Sequence, residues 1–126
     1  MIIVYNLLVV IYMEINLQEL NYKPEIIINE TLSYSSEFLK DTEIVKLDNV
    51  MVSGNLTSDI EFNCLVNLKV TGEMIIHDAV SYEEVPYEFT IDIEENLGNS
   101  LKSLDLFEFL WHYIVLEIPL RYTVST

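Results

Sequence analysis

The chain has 126 residues, 51% of them apolar, with 21 acidic and 6 basic side chains and a formal charge of −15. That length is one ordinary domain, and the apolar share excludes disorder as a global description. The charge serves solubility, disfavours a surface that grips phosphates and favours basic partners.

Residues 1–12 open an apolar stretch, MIIVYNLLVVIYM, too short to span a bilayer as a helix. It has neither a basic residue ahead of the apolar run nor a small-residue cleavage site, so it is a poor signal peptide. It reads either as an extra buried strand or as an apolar extension upstream of a start at Met13. No membrane association is expected.

From Met13 on, the chain reads as one domain, 13–126. EINLQEL alternates Ile15 and Leu17 as a short strand, and Asn21 to Pro24 is a turn. Residues 25–32 form a second strand. Ser35 to Lys40 reads as one helical turn capped by a serine. After Glu43, Val45 and Leu47 share one parity and Val50, Val52 and Leu56 the other, so a bulge or a break falls at Asp48-Asn49. Gly54 stands where a side chain would obstruct a neighbouring backbone.

Thr57-Ser58-Asp59 reads as the turn of an antiparallel hairpin. Ile60, Phe62, Cys64, Val66, Leu68 and Val70 then alternate as a half-buried strand that Gly72 ends or kinks, with Met74 and Ile76 as its continuation. The stretch HDAVSYEE leads into a further strand, Val85, Tyr87, Phe89, Ile91 and Ile93, where Pro86 argues for an edge or a strand beginning. A polar link over residues 96–103 precedes a helix capped by Asp105, with Glu108 at capping-box spacing. Its apolar stripe is Leu106, Phe109, Leu110, Tyr113 and Ile114, and Pro119 closes it. Tyr122 and Val124 read as a last short strand.

The chemistry-bearing residues do not assemble into an enzyme. There is no G-x-S-x-G elbow and no glycine-rich phosphate loop. His77-Asp78 is a weak start for a metal site, because adjacent residues point apart on a strand, and no metal or cofactor is expected. Glu83 and Glu84 read as acids on a solvated loop rather than an acid–base pair. His112 reads as a surface or half-buried helical residue and Trp111 as core. Cys64, the one cysteine, excludes an intrachain disulfide, fits a reducing compartment and reads as a buried thiol.

Residues 70–101 contain no Lys or Arg but carry eight acids, Glu73, Asp78, Glu83, Glu84, Glu88, Asp92, Glu94 and Glu95. Asp78, Tyr82, Glu83, Glu84 and Tyr87 are the candidate contact residues for a basic protein segment. A tyrosine-rich strand packing on the core is the plainer reading of the two tyrosines.

The order of these segments resembles the YceD-like family of small bacterial and plastid proteins. The resemblance runs from Met13 to about Val124: EINLQEL, EIIINETL, a V-x-V-x-G strand ending at Gly54, VNLKVTGE with Gly72, and LDLFEFLWHYIVLEIP through Asp105, Leu106, Leu116 and Pro119. Where many relatives carry C-x-R-x-L, this chain has Asp78-Ala79-Val80-Ser81-Tyr82, so no role of that cysteine or arginine carries over. A glutamate common in the family's last helix is His112 here.

The resemblance implies a cytoplasmic, non-enzymatic factor that supports accumulation of large-subunit (23S) ribosomal RNA. Genes of the family often neighbour that of a small basic ribosomal protein. Contact with basic ribosomal proteins or pre-ribosomal particles suits the charge better than direct RNA binding. The alternative is an acidic protein-interaction module unrelated to ribosomes. The expected fold is α+β: a strongly twisted antiparallel sheet that could approach a barrel, with one main helix near the C-terminus.

Overall fold

A computed structural model describes residues 13–118 except Ala79, together with the backbone of Val4–Tyr5 and Leu8–Val9. The fold is α+β, mostly antiparallel sheet with one main helix near the C-terminus. Strands β1 (Val4–Tyr5) and β2 (Leu8–Val9) pair antiparallel. Whether the 1–12 extension is buried lies outside the described residues, as do Pro119 and the expected strand at Tyr122 and Val124.

Strand β3 (Glu14–Asn16) is shorter than the alternation of EINLQEL implies. The Asn16 side chain accepts from the Gln18 amide and turns the chain into a 3-10 segment over Leu17–Asn21. A four-stranded meander follows: β4 (Glu25–Tyr34), β5 (Ile44–Ser58), β6 (Cys64–His77) and β7 (Glu84–Asn96). Their order in the sheet is their order in the chain, and β4 and β7 are its two edges, so the sheet is open rather than a closed barrel. Helix α1 (Ser36–Leu39) joins β4 to β5. Ser35 occupies its cap position, but its buried hydroxyl makes no hydrogen bond among the described residues.

Strand β5 is unbroken, with two bulges. One lies between Ile44 and Lys46, so that Val45 is the extra residue and is exposed while Ile44 and Leu47 are buried. The other falls between Asp48 and Met51, where Asn49 takes φ +56° and the inward parity changes from Leu47 to Val50. The expected turn comes later than the sequence implies. Strand β5 runs through Thr57 and Ser58, and residues 59–63 make the loop. Ile60 (95% exposed) and Phe62 (71%, φ +63°) sit on that loop, not in the strand that the alternation draws.

Gly72 does not end or kink β6, which continues in unbroken register with β7 to His77. Its missing Cβ leaves room for the ring of Phe89, the cross-strand neighbour, whose Cζ would stand 2.9 Å from a Cβ there. At Gly54 a Cβ would meet the Asn67 carbonyl oxygen at 2.1 Å, and its φ of +144° suits glycine.

One face of the sheet is buried. Ile28, Leu32, Val50, Val52, Leu56, Val66, Leu68, Val70, Met74, Ile76, Phe89 and Ile93 point inward from the four strands. Helix α2 (Leu106–Ile114) contributes Leu106, Phe107, Leu110 and Ile114 to the same core. The buried stripe is therefore turned from the expected one: Phe107 is in it, and Phe109 and Tyr113 are half-buried beside it. Asp105 caps α2 by accepting from the Phe107 amide at 3.2 Å. Strand β8 (Ser103–Asp105) pairs with β3, and a fully buried Leu or Ile in such a core is worth roughly 1.5–3 kcal/mol of transfer free energy.

Candidate functional site

The HDAVSYEE stretch forms the loop between β6 and β7. The Asp78 amide donates to the Glu83 carbonyl (2.8 Å), and the Tyr82 amide donates to the Asp78 carbonyl (2.8 Å). The Asp78 carboxylate accepts from the Val80 and Ser81 amides at 2.8 and 3.3 Å, and the Ser81 hydroxyl accepts from the Glu83 amide at 3.2 Å. Asp78 thus holds the loop shut, so its first role is structural. Tyr82 takes φ +62° and is 77% exposed at the tip, with Val80 exposed beside it. His77 Nδ1 lies 3.2 Å from the Tyr82 carbonyl oxygen.

The loop between β5 and β6 repeats the device. The Asp59 carboxylate accepts from the Glu61 and Asn63 amides and the Asn63 side chain, and Phe62 is the exposed aromatic residue with positive φ. The Asn63 hydrogen bonds hold the Asp59 carboxyl below the usual carboxylate range, with the Glu61 amide adding to them. Strand β6 separates the two tips by 14 residues, roughly 45 Å of extended chain. An acceptor side chain opening each hairpin loop was a usable sequence signal for both turns; the left-handed aromatic residue was not.

The candidate contact residues do not form one patch. Tyr82, Glu83 and Glu84 are exposed at the loop and the start of β7. Tyr87 is a strand residue on the other face: it pairs with Met74 and is half-buried against the core, with Phe89 two residues on. The plainer reading of Tyr87, a tyrosine packing on the core, holds. Gly54 and Gly72 lie within strands, and Asp105 and Leu106 begin α2.

Strand β7 carries the acids in an ordered way. The Cys64 amide donates to the Gly98 carbonyl and the Cys64 carbonyl accepts from the Leu97 amide, so even-numbered residues of β6 and odd-numbered residues of β7 share the ladder between them. The even-numbered residues of β7 therefore turn their backbone groups to the free edge. Pro86 is among them and is tolerated because its nitrogen faces outward. The side chains of Glu84, Glu88, Asp92 and Glu94 belong to the same set and stand on the exposed outer face. Among the described residues none of these four forms an ion pair; the pairs Lys23–Glu19, Lys40–Glu37 and Lys46–Asp48 lie elsewhere. Lys69 is the cross-strand neighbour of Asp92.

The concavities among the described residues include the following. A groove of about 490 Å³ on the outer face is lined by residues including Lys46, Asp48, Glu73, Ile75, Glu88 and Thr90. A smaller one of about 200 Å³ lies between Leu17, Phe62, Cys64 and Leu101. A third, about 320 Å³, lies on α2 between Phe109, His112, Tyr113 and Leu116. Tyr113 donates a hydrogen bond to Glu95 there; desolvation, with Glu95 second, pushes its phenol up to about 12. Cys64 is buried, and burial pushes its thiol up. Among the described residues no three His, Cys, Asp or Glu side chains cluster to hold a metal, and no helix is long and apolar enough to cross a membrane.

No family model, no curated protein and no solved structure matches the chain.

Proposed function

We propose that this chain is a non-enzymatic, cytoplasmic ribosome-biogenesis factor. It supports accumulation or processing of large-subunit (23S) ribosomal RNA through contacts with basic ribosomal proteins or precursor particles. The observation that carries the binding half of this reading is the acidic free edge of β7, where Glu84, Glu88, Asp92 and Glu94 face solvent and form no ion pair among the described residues, with Lys69 across the ladder from Asp92 the one cation opposite them. Such an edge attracts a basic chain and repels phosphate. The ribosomal half rests on the resemblance in segment order to the YceD-like family.

The test is a sucrose-gradient profile of cells depleted of the protein, read together with ribosomal RNA quantities. The expected result is a loss of mature large-subunit RNA and of large subunits relative to small ones. Unchanged RNA and an unchanged profile overturn the ribosomal reading. A low-salt pull-down that recovers basic partners other than ribosomal proteins, combined with that outcome, moves the protein to the class of general acidic interaction modules.

A further inference from the structure

We infer that the free edge of β7 takes up an extended basic segment of a partner protein as a fifth strand, with Lys or Arg at every second residue and apolar residues between them. This names the docking mode for the basic partner proposed above, and it rests on that reading for the partner's charge.

The geometry carries the alternation. Glu84, Glu88, Thr90, Asp92 and Glu94 present both an outward backbone and an outer-face side chain. A strand laid along this edge pairs its main chain with theirs, and its residues opposite them stand on the same face of the sheet, close to the carboxylates. Its intervening residues fall on the inner face beside Val85 and Tyr87, which are only half-buried, and Ile91. Basic residues meet the acids and apolar residues extend the core.

The other occupants fit worse. A second copy would set glutamate and aspartate against their like, which is destabilising for directly opposed charges. Nucleic acid would meet four carboxylates. The opposite edge, β4, turns Glu25, Ile27, Asn29 and Thr31 outward and has no comparable charge. Acids and a proline on an edge strand also guard against self-association. That protection does not exclude a basic strand: Pro86 removes a donor at one end only, and the donors from Glu88 to Glu94 remain.

The test titrates the full-length protein with a capped synthetic peptide of alternating lysine and valine, roughly ten residues long to match a strand. A peptide of the same composition with its lysines in one block is the control. The alternating peptide should bind at least about tenfold more tightly than the block peptide. It should also slow amide exchange at Glu88, Thr90, Asp92 and Glu94. Thr90→Pro, which removes an outward donor and no ladder bond, should weaken binding by about tenfold while shifting Tm by no more than about 3 °C. If that variant unfolds, Glu88→Lys with Asp92→Lys serves instead and should abolish binding.

Equal binding of the two peptides, protection appearing on β4 instead, or no binding at all overturns the proposal. So does concentration-dependent self-association that Thr90→Pro dissolves, which would seat a second copy on the edge. Failure here leaves the RNA phenotype of depletion untouched, and a missing RNA phenotype leaves the peptide result untouched.

Discussion

The Tyr34 hydroxyl donates to the Phe107 carbonyl across 2.8 Å, and the two rings meet edge to face at 5.1 Å. One residue ends the first strand of the meander and the other lies in the first turn of α2, so this contact seats the helix on the sheet. Phe38 and Trp111 complete the aromatic cluster, at 5.0 and 5.4 Å from the Tyr34 ring. Tyr34→Phe keeps the ring packing and removes the hydroxyl. It should cost about 1–2 kcal/mol, read as a lower urea midpoint with an unchanged slope. An unchanged midpoint would mean that the buried hydrogen bond contributes nothing net.

The glycines should rank by what a methyl group meets. At Gly54 the obstruction is backbone, 2.1 Å away, at a φ of +144°, so Gly54→Ala should cost at least about 3 kcal/mol. At Gly72 it is the Phe89 ring, which can give way, and the cost should be about 1–2 kcal/mol. Gly98 has open space around it but φ +75°, so alanine there should cost about 1 kcal/mol. Thermal unfolding of the three variants tests the order, and Gly72→Ala proving the most damaging would contradict it.

Phe62 and Tyr82 are large, exposed and left-handed, a backbone conformation that costs non-glycine residues roughly 1 kcal/mol or more. Phe62→Gly and Tyr82→Gly should therefore be neutral or stabilising by up to about 1 kcal/mol, since little packing is lost. If Tyr82→Gly at the same time weakens capture of a basic partner, the strained aromatic residue is there for contact. A marked fall in stability would show that these side chains pack more than their exposure implies.

The alkaline limit should be set by tyrosines. Tyr113 is pushed up to about 12 by desolvation and Glu95, and burial, with the carboxylates of Asp105 and Glu108 behind it, raises Tyr34 as well. A phenol raised on folding contributes stability that is complete below its unfolded value, about 10, and is lost as pH rises through the folded one. Stability should fall from pH 10 toward 12, and Tyr113→Phe should flatten that fall. Denaturant midpoints measured across this range check it; identical slopes in wild type and variant would count against the Tyr113 contribution.

The strands were legible because a long apolar–polar alternation suits a half-buried strand and little else, and the parity change at Asp48-Asn49 pointed to a real bulge. Alternation misled at Ile60 and Phe62. Periodicity cannot see that the Asp59 side chain captures the next amides and turns the chain before Cys64. The same parity that puts Phe89 and Ile91 inward also puts Tyr87 inward, so grouping Tyr87 with the loop acids followed sequence proximity over strand geometry. Phe107 was missed because the Asp105 cap sets the phase of α2, and a stripe drawn from spacing alone can be turned by one residue. The pairing of β3 with β8 was invisible: three residues at each end carry no periodic signal, and their partners are far apart in the chain.

That pairing fixes when parts of the molecule are made. The four long strands are joined through nearby residues and can form hairpin by hairpin. By contrast, Met13 reaches Asp105 over 92 residues, donating to its carboxylate at 3.2 Å, while Leu106 donates back to the Met13 carbonyl at 2.7 Å. Closing a loop of that length costs about 4 kcal/mol of chain entropy, so the clasp is expected to form after the rate-limiting step and to open first. Asp105→Ala, which removes the cap and the side-chain half of the clasp, should then speed unfolding several-fold and leave the folding rate nearly unchanged, whereas Asp105→Asn should do much less. A slowed folding rate in Asp105→Ala would place the clasp in the nucleus. Otherwise the sheet assembles as an independent unit, and β3, β8 and α2 are a latch whose strength sets the lifetime of the native state rather than the speed of reaching it.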